Sequence, residues 1–183
     1  DEELISVLKA LKNARVFDRL IEAGERAMVR MPEDAQVRLF YGQGLLNEGH
    51  VHAGLEMIRG VLQMGGVPQA LRDEAYGLLG RAHKQLYVNH VRSPNASHVV
   101  RRRFKGDLER AIRHYATAYH IDAPATNFWH GINLIALMYL AREDGHTDLA
   151  KVDGYTPEQL ATRLIDALTP QAHGTADHWL LAT

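Results

Sequence analysis

Apolar residues recur along this chain at intervals of three and four, with polar residues between them. Leu4, Leu8 and Leu11 fall on one stripe, and Phe17, Leu20, Ile21, Gly24 and Ala27 on the next. Leu55, Ile58 and Leu62 follow, then Leu71, Ala75, Leu78, Leu79, Ala82 and Leu86. Leu108, Ala111, Ile112, Tyr115 and Tyr119 make another stripe, and Leu160, Leu164, Ile165 and Leu168 the last. This is the period of amphipathic helices, and no stretch alternates as a half-buried strand does. One helix start is unusually complete. Thr156 can cap, Pro157 suits the first helical position, and Gln159 closes a capping box.

Helices of about a dozen residues paired by short breaks predict helical hairpins. Residues 15–32 resemble the second half of a tetratricopeptide repeat, with Phe17, Leu20, Gly24, Ala27 and Pro32 at its characteristic positions. One repeat of about 34 residues further on, Tyr41-Gly42 and Leu45, then Gly54, Ile58 and Val61, fill the same places. Leu79-Gly80 and His83 continue the series, followed after an interruption by Ala111, Tyr115 and Ala118. Trp129 and Trp179 fall on the tryptophan position of a fourth and a fifth unit. Small residues at crossing points let helices approach to about 8–10 Å, and each hairpin leaves an apolar face for the next to cover. The expected fold class is all-α: a right-handed tetratricopeptide-like helical-hairpin solenoid of about four hairpins plus the start of a fifth. Residues 1–183 are expected to form one repeat domain, interrupted by insertions at 88–104 and 144–155. Such interruptions in a compact repeat are commonly functional or mobile. The chain opens at Asp1, and residues 177–183 read as a helix start with nothing after it, so a fragment of a longer multidomain protein is expected.

Composition narrows the chemistry. With 183 residues, 46% of them apolar and 23% charged, the chain is long enough to bury a core. The absence of cysteine excludes disulfides, thiolate metal sites and cysteine nucleophiles. The longest nearly unbroken apolar run, residues 132–141, is too short to cross a bilayer, and no secretory signal segment opens the chain, so a cytoplasmic setting is expected. The net charge of −1 hides a split. Residues 75–106 carry Arg81, Lys84, Arg92, Arg101, Arg102, Arg103 and Lys105 and no acid, while the rest of the chain is strongly acidic. Local asymmetry of this kind points to a partner better than the total does.

Arg81 and Lys84, three apart, share a helix face and fall at repeat positions that line the concave groove of such solenoids. They read as an anion site for phosphate, nucleotide or acidic peptide, or as surface cations bonded to a neighbouring helix. Arg101, Arg102 and Arg103 with Lys105 form the densest basic cluster, suited to an acidic or phosphate-bearing partner or to a solvated helix start. The acidic remainder and the scarcity of aromatics beside the cluster (Tyr87 and Phe104) argue against nucleic acid. Asn133, four residues after Trp129, either bonds a loop carbonyl and holds the insertion, or faces a ligand beside Arg81. The 11 histidines follow no metal-ligand spacing and read as scattered surface residues that can tune association near pH 6–7. No phosphate loop, GxSxG or GxGxxG is present. No cofactor, metal, membrane partner or catalytic activity is expected.

The middle of the chain carries a more specific pattern. A Gly80-Arg81-Ala82-His83-Lys84 helix is followed by an insertion, then Leu108-Glu109-Arg110-Ala111-Ile112-Arg113-His114-Tyr115, then the Gly131-Ile132-Asn133 helix start. Over residues 70–142 this resembles the tetratricopeptide-type TRAF-binding domain, the central regulatory region of ASK-type MAP kinase kinase kinases, with relatives in bacterial multidomain proteins. The resemblance implies a regulatory scaffold without catalytic residues of its own that controls an attached or partner effector. The composition, rich in Arg, Ala and His, leans bacterial. Two readings follow: a protein-interaction module, or a sensor that takes a nucleotide-type or other anionic ligand in the groove. Arg81, Lys84, Arg101, Arg102, Arg103 and Asn133 are the expected contacts in either.

Overall fold

The first stripe becomes helix α1 (Glu2–Asn13), with Leu8 fully buried, and the second becomes α2 (Phe17–Arg30), burying Leu20, Gly24 and Ala27. The computed structural model describes residues 1–91 and 97–172. Six further α-helices follow within that range: α3 (Ala35–Asn47), α4 (Val51–Gln63), α5 (Gln69–Val91), α6 (His98–Tyr119), α7 (Phe128–Glu143) and α8 (Pro157–Ala172). Taken in order they pair into four hairpins. A short 3-10 helix, Thr147–Leu149, and one isolated antiparallel bridge, Val152 to Tyr155, lie between α7 and α8. Among the described residues all other regular structure is α-helical, so the fold is all-α and of the tetratricopeptide-like class. The start of a fifth unit at residues 177–183 lies outside the described residues, as do His173, His178 and Trp179.

The chain divides into two compact units, Asp1–Ala82 and His83–Thr183, and the long helix α5 contributes to each.

In the first unit the core joins Leu8, Leu20, Ala27, Val37 and Phe40. Helix α3 starts where Asp34 can cap it: its carboxylate accepts from the backbone N–H groups of Gln36 and Val37, both at 2.9 Å. The expected small-residue crossing is real. A Cβ on Gly54 would lie 2.7 Å from a Leu46 methyl and 3.0 Å from the Gly42 carbonyl oxygen, so only glycine lets α3 and α4 come this close.

In the second unit Tyr87, Leu108, Leu134, Met138 and Leu160 are fully buried. A Cβ on Gly131 would sit 2.5 Å from the ring of Tyr119, which sets the spacing of α6 and α7. Helix α8 opens on the predicted capping box. The Thr156 N–H donates to Gln159 Oε1 at 2.9 Å, and the Gln159 N–H donates to Thr156 Oγ1 at 3.4 Å.

Most of the 88–104 insertion is helix. Residues 88–91 complete α5 and residues 98–104 open α6, while residues 92–96 lie outside the described residues. The reason is burial. His83, Tyr87 and Val91 continue one face of α5 at four-residue steps, and all three are buried in the second unit. Ser97 then caps α6, accepting from the Val100 N–H at 3.4 Å.

Candidate functional site

Lys84 and Asn133 meet. Lys84, half-buried on α5, donates from Nζ to Asn133 Oδ1 at 2.8 Å. The Asn133 amide is oriented from its other end, where Nδ2 donates to the Trp129 carbonyl one turn earlier at 2.9 Å. The pair therefore bridges α5 and α7, the first helices of consecutive hairpins. Tyr115 of α6 lies beneath, its ring centroid 6.0 Å from Lys84 Nζ and 6.0 Å from the His130 ring. Trp129 is 53% exposed and stacks on Phe128 at 5.6 Å. Trp129 lies one helical turn before Asn133 on the same side of α7, so the half-exposed indole and the lysine-bound amide share that side of the helix. Asn133 thus holds α5 to α7 rather than a loop carbonyl of the insertion. Arg81, half-buried on α5, belongs to the first unit.

One residue before Lys84 on α5, the chemistry is buried. His83 is 3% exposed; its Nδ1 lies 3.0 Å from Asp107 Oδ1, and its ring stacks on His114 at 5.7 Å between centroids. Asp107 also accepts from Arg110 at 3.2 Å. The reading of scattered surface histidines is corrected here: His83 is a core residue with a carboxylate partner. Its four-residue step to Tyr87 carried that signal in the sequence.

The basic cluster divides by helix face. Arg101 and Lys105, four apart on α6, meet Asp144 and Asp148, four apart after α7. Arg101 Nη1 lies 3.3 Å from Asp144 Oδ1, and Lys105 Nζ donates to Asp148 Oδ2 at 2.6 Å. The Asp144 side chain is only 8% exposed, and its second oxygen accepts from the Tyr87 hydroxyl at 2.7 Å. The hydrogen bond from Lys105 holds the Asp148 carboxyl below its ordinary range. His90 of α5 stacks on Phe104 of α6 at 3.9 Å. The 144–155 insertion therefore packs on the 88–104 insertion through Arg101 and Asp144, and on its flank through Lys105 and Asp148. Sequence reasoning missed this joint, although the matched four-residue spacing of opposite charges was there to see. Arg102 and Arg103 point to solvent, the latter with its guanidinium 5.9 Å from the Phe104 ring. A cavity of about 460 Å³ opens between the start of α6 and the turn after α7.

Among the described residues no group of three or more His, Asp or Glu side chains is placed to hold a metal ion. No helix among them is long and apolar enough to cross a membrane.

The family model described as Tetratricopeptide Repeats-Sensor matches residues 10–138. Among solved structures, one described as the crystal structure of MamA protein is similar at 13% sequence identity, covering 94% of this chain and 96% of that chain with a TM-score of 0.34. No curated protein matches the chain.

Proposed function

The chain belongs to the Tetratricopeptide Repeats-Sensor family, and from that premise we propose that it is a non-catalytic regulatory module whose α5–α7 face binds a protein partner. That partner is an effector protein, or an effector domain of the same polypeptide. The carrying observation is the half-exposed Trp129 beside the Lys84–Asn133 pair. Aromatic anchors ringed by polar groups supply most of the energy in protein interfaces, and truncating one typically costs about 2 kcal/mol or more of binding. Lys84 and Asn133 are the polar contacts of this face. The solvent-facing Arg102 and Arg103 extend the recognition of acidic segments, and Arg81 is a separate contact on the first unit. The TRAF-binding-domain resemblance over residues 70–142 supports control of a signalling effector.

A sensor reading is favoured by the same indole, because a half-exposed flat ring one helical turn from a lysine-bound amide also suits a nucleotide-type ligand. A photoreactive residue placed at position 129 separates the two. Crosslinking in the native host should trap a protein, and Lys84→Ala should reduce the yield. Crosslinking to no protein, with an ultraviolet-absorbing small molecule co-purifying with the chain, would replace the interaction module by the sensor.

A further inference from the structure

Helix α8 repeats α2 in register. Pro157 corresponds to Phe17, Leu160 to Leu20, Leu164 to Gly24 and Ile165 to Glu25, and both Leu160 and Leu20 are fully buried. In the first unit α3 covers one flank of α2. A Cβ on Gly24 would lie 2.9 Å from the Tyr41 ring, and one on Gly44 would lie 3.1 Å from the Ile21 side chain. The Tyr41 hydroxyl donates to Glu25 Oε1 at 3.4 Å. The matching flank of α8 is apolar and open among the described residues. Ile165 is 62% exposed, and Ala161 and Leu168 beside it are half-buried. The other flank is occupied, since Arg163 donates to the Ile121 carbonyl at 3.3 Å and lies over the Tyr155 ring. Ile165 is two residues further on, about 200° around the helix, so it points away from that contact. The register that lays α8 on α2 also carries Leu39-Phe40-Tyr41 of α3 onto Trp179-Leu180-Leu181, the apolar run that follows α8.

We propose that the open flank of α8 is a docking surface for the segment 173–183 of this same chain, with Leu181 against Ile165 and Trp179 within the apolar contact. The two sides of the contact change together. Where the first unit sets a tyrosine hydroxyl on a carboxylate, Tyr41 on Glu25, the corresponding pair is leucine and isoleucine, Leu181 and Ile165. Where the first unit fits a bulky tyrosine over Gly24, a smaller leucine at 181 leaves room for Leu164. Polar meets polar in one unit and apolar meets apolar in the other, which is the match that closes a surface. This surface is separate from the α5–α7 face, and it stands or falls independently of the role proposed for that face.

The chain has two tryptophans, so a Trp129→Phe background leaves Trp179 as the sole indole reporter in the 183-residue chain. Its emission should be blue-shifted and shielded from iodide. Adding Ile165→Glu changes only an exposed side chain of α8, so helical circular dichroism should be kept. The emission should nevertheless move to the red and the indole become open to iodide, and Leu181→Glu should do the same. Val99→Glu, at a position of α6 that is 75% exposed, should leave the emission where it was. The proposal is overturned if Trp179 is quenched as freely as an indole in water. It is overturned equally if the shielding survives Ile165→Glu or Leu181→Glu, or if Val99→Glu abolishes it too. Shielding that disappears on dilution would also overturn it, giving the flank to a second copy of the chain.

Discussion

The two compact units handle their polar side chains differently. In the first, many of the close ion pairs stay within one helix: Arg19 and Arg26 share Glu22, and Arg59 meets Glu56, at 2.6–3.0 Å. Its helices are held together by apolar packing and by glycine at the α3–α4 crossing. The second unit has local pairs too, such as Arg113 with Glu109, but several of its short polar contacts run between elements. Lys84 reaches Asn133, Tyr87 and Arg101 reach Asp144, Lys105 reaches Asp148, and Arg142 reaches Glu158. Local pairs decorate a surface and contribute little. Pairs between elements fix where a loop or helix face sits, and they are needed where geometry has a task beyond stability. That difference directs attention to the second unit as the bearer of function.

Four substitutions and one control test this contrast, from the largest expected effect down. Gly131→Val drives a branched side chain into the Tyr119 ring, and should destabilise the second unit by about 3 kcal/mol in urea unfolding. Tyr87→Phe comes next. It removes a donor from the buried Asp144 carboxylate, and should cost about 1–3 kcal/mol. Its internal control is Tyr119→Phe. Burial raises the Tyr119 hydroxyl pKa, against an opposing effect of Arg163, and that hydroxyl has no hydrogen-bond partner among the described residues. Its removal should leave stability unchanged or slightly higher. Equal losses in the two variants would mean that packing, not the polar joint, holds the second unit.

Acid should weaken the second unit through its carboxylates. The Glu158 carboxyl is lowered from 4.5 to about 2 by its backbone hydrogen bond at the start of α8, then by Arg142 and Thr156. A carboxyl depressed in the folded state stabilises above its unfolded pKa, and that contribution is lost as pH falls through the folded one. Stability should therefore decline as pH drops from about 4.5 towards 2, and Glu158→Gln should flatten that part of the pH profile in thermal unfolding. The smallest effect belongs to Glu22→Gln in the first unit. Its exposed pairs should be worth less than about 0.5 kcal/mol, and a loss comparable with that of Tyr87→Phe would erase the contrast between the units.

Much of the architecture was legible in local residues. The stripe Leu4, Leu8, Leu11 is α1, the Thr156-Pro157-Gln159 start is the first turn of α8, and Gly54 stands at a helix crossing. Each of these depends on neighbours a few positions away, or on a repeat that recurs. The candidate contacts were less legible. Lys84 and Asn133 were both visible as polar residues on helices, but their hydrogen bond joins positions separated by 49 residues. That most of the insertion at 88–104 is helix was not legible, because the burial of Tyr87 and Val91 that carries α5 onward depends on distant partners.

By itself, then, the amino-acid order determined the helical period, the hairpin breaks, the capped starts and the small residues that let helices meet. Those are properties of side-chain size, backbone preference and spacing, which act over a turn or two. Only the tertiary structure decided which cations of the basic run are neutralised and which face water. Arg101 and Lys105 are matched to Asp144 and Asp148, whereas Arg102 and Arg103 are not, because a one-residue step on a helix turns a side chain through about 100°. Charge counts along a chain cannot see that rotation until a second element supplies the acids.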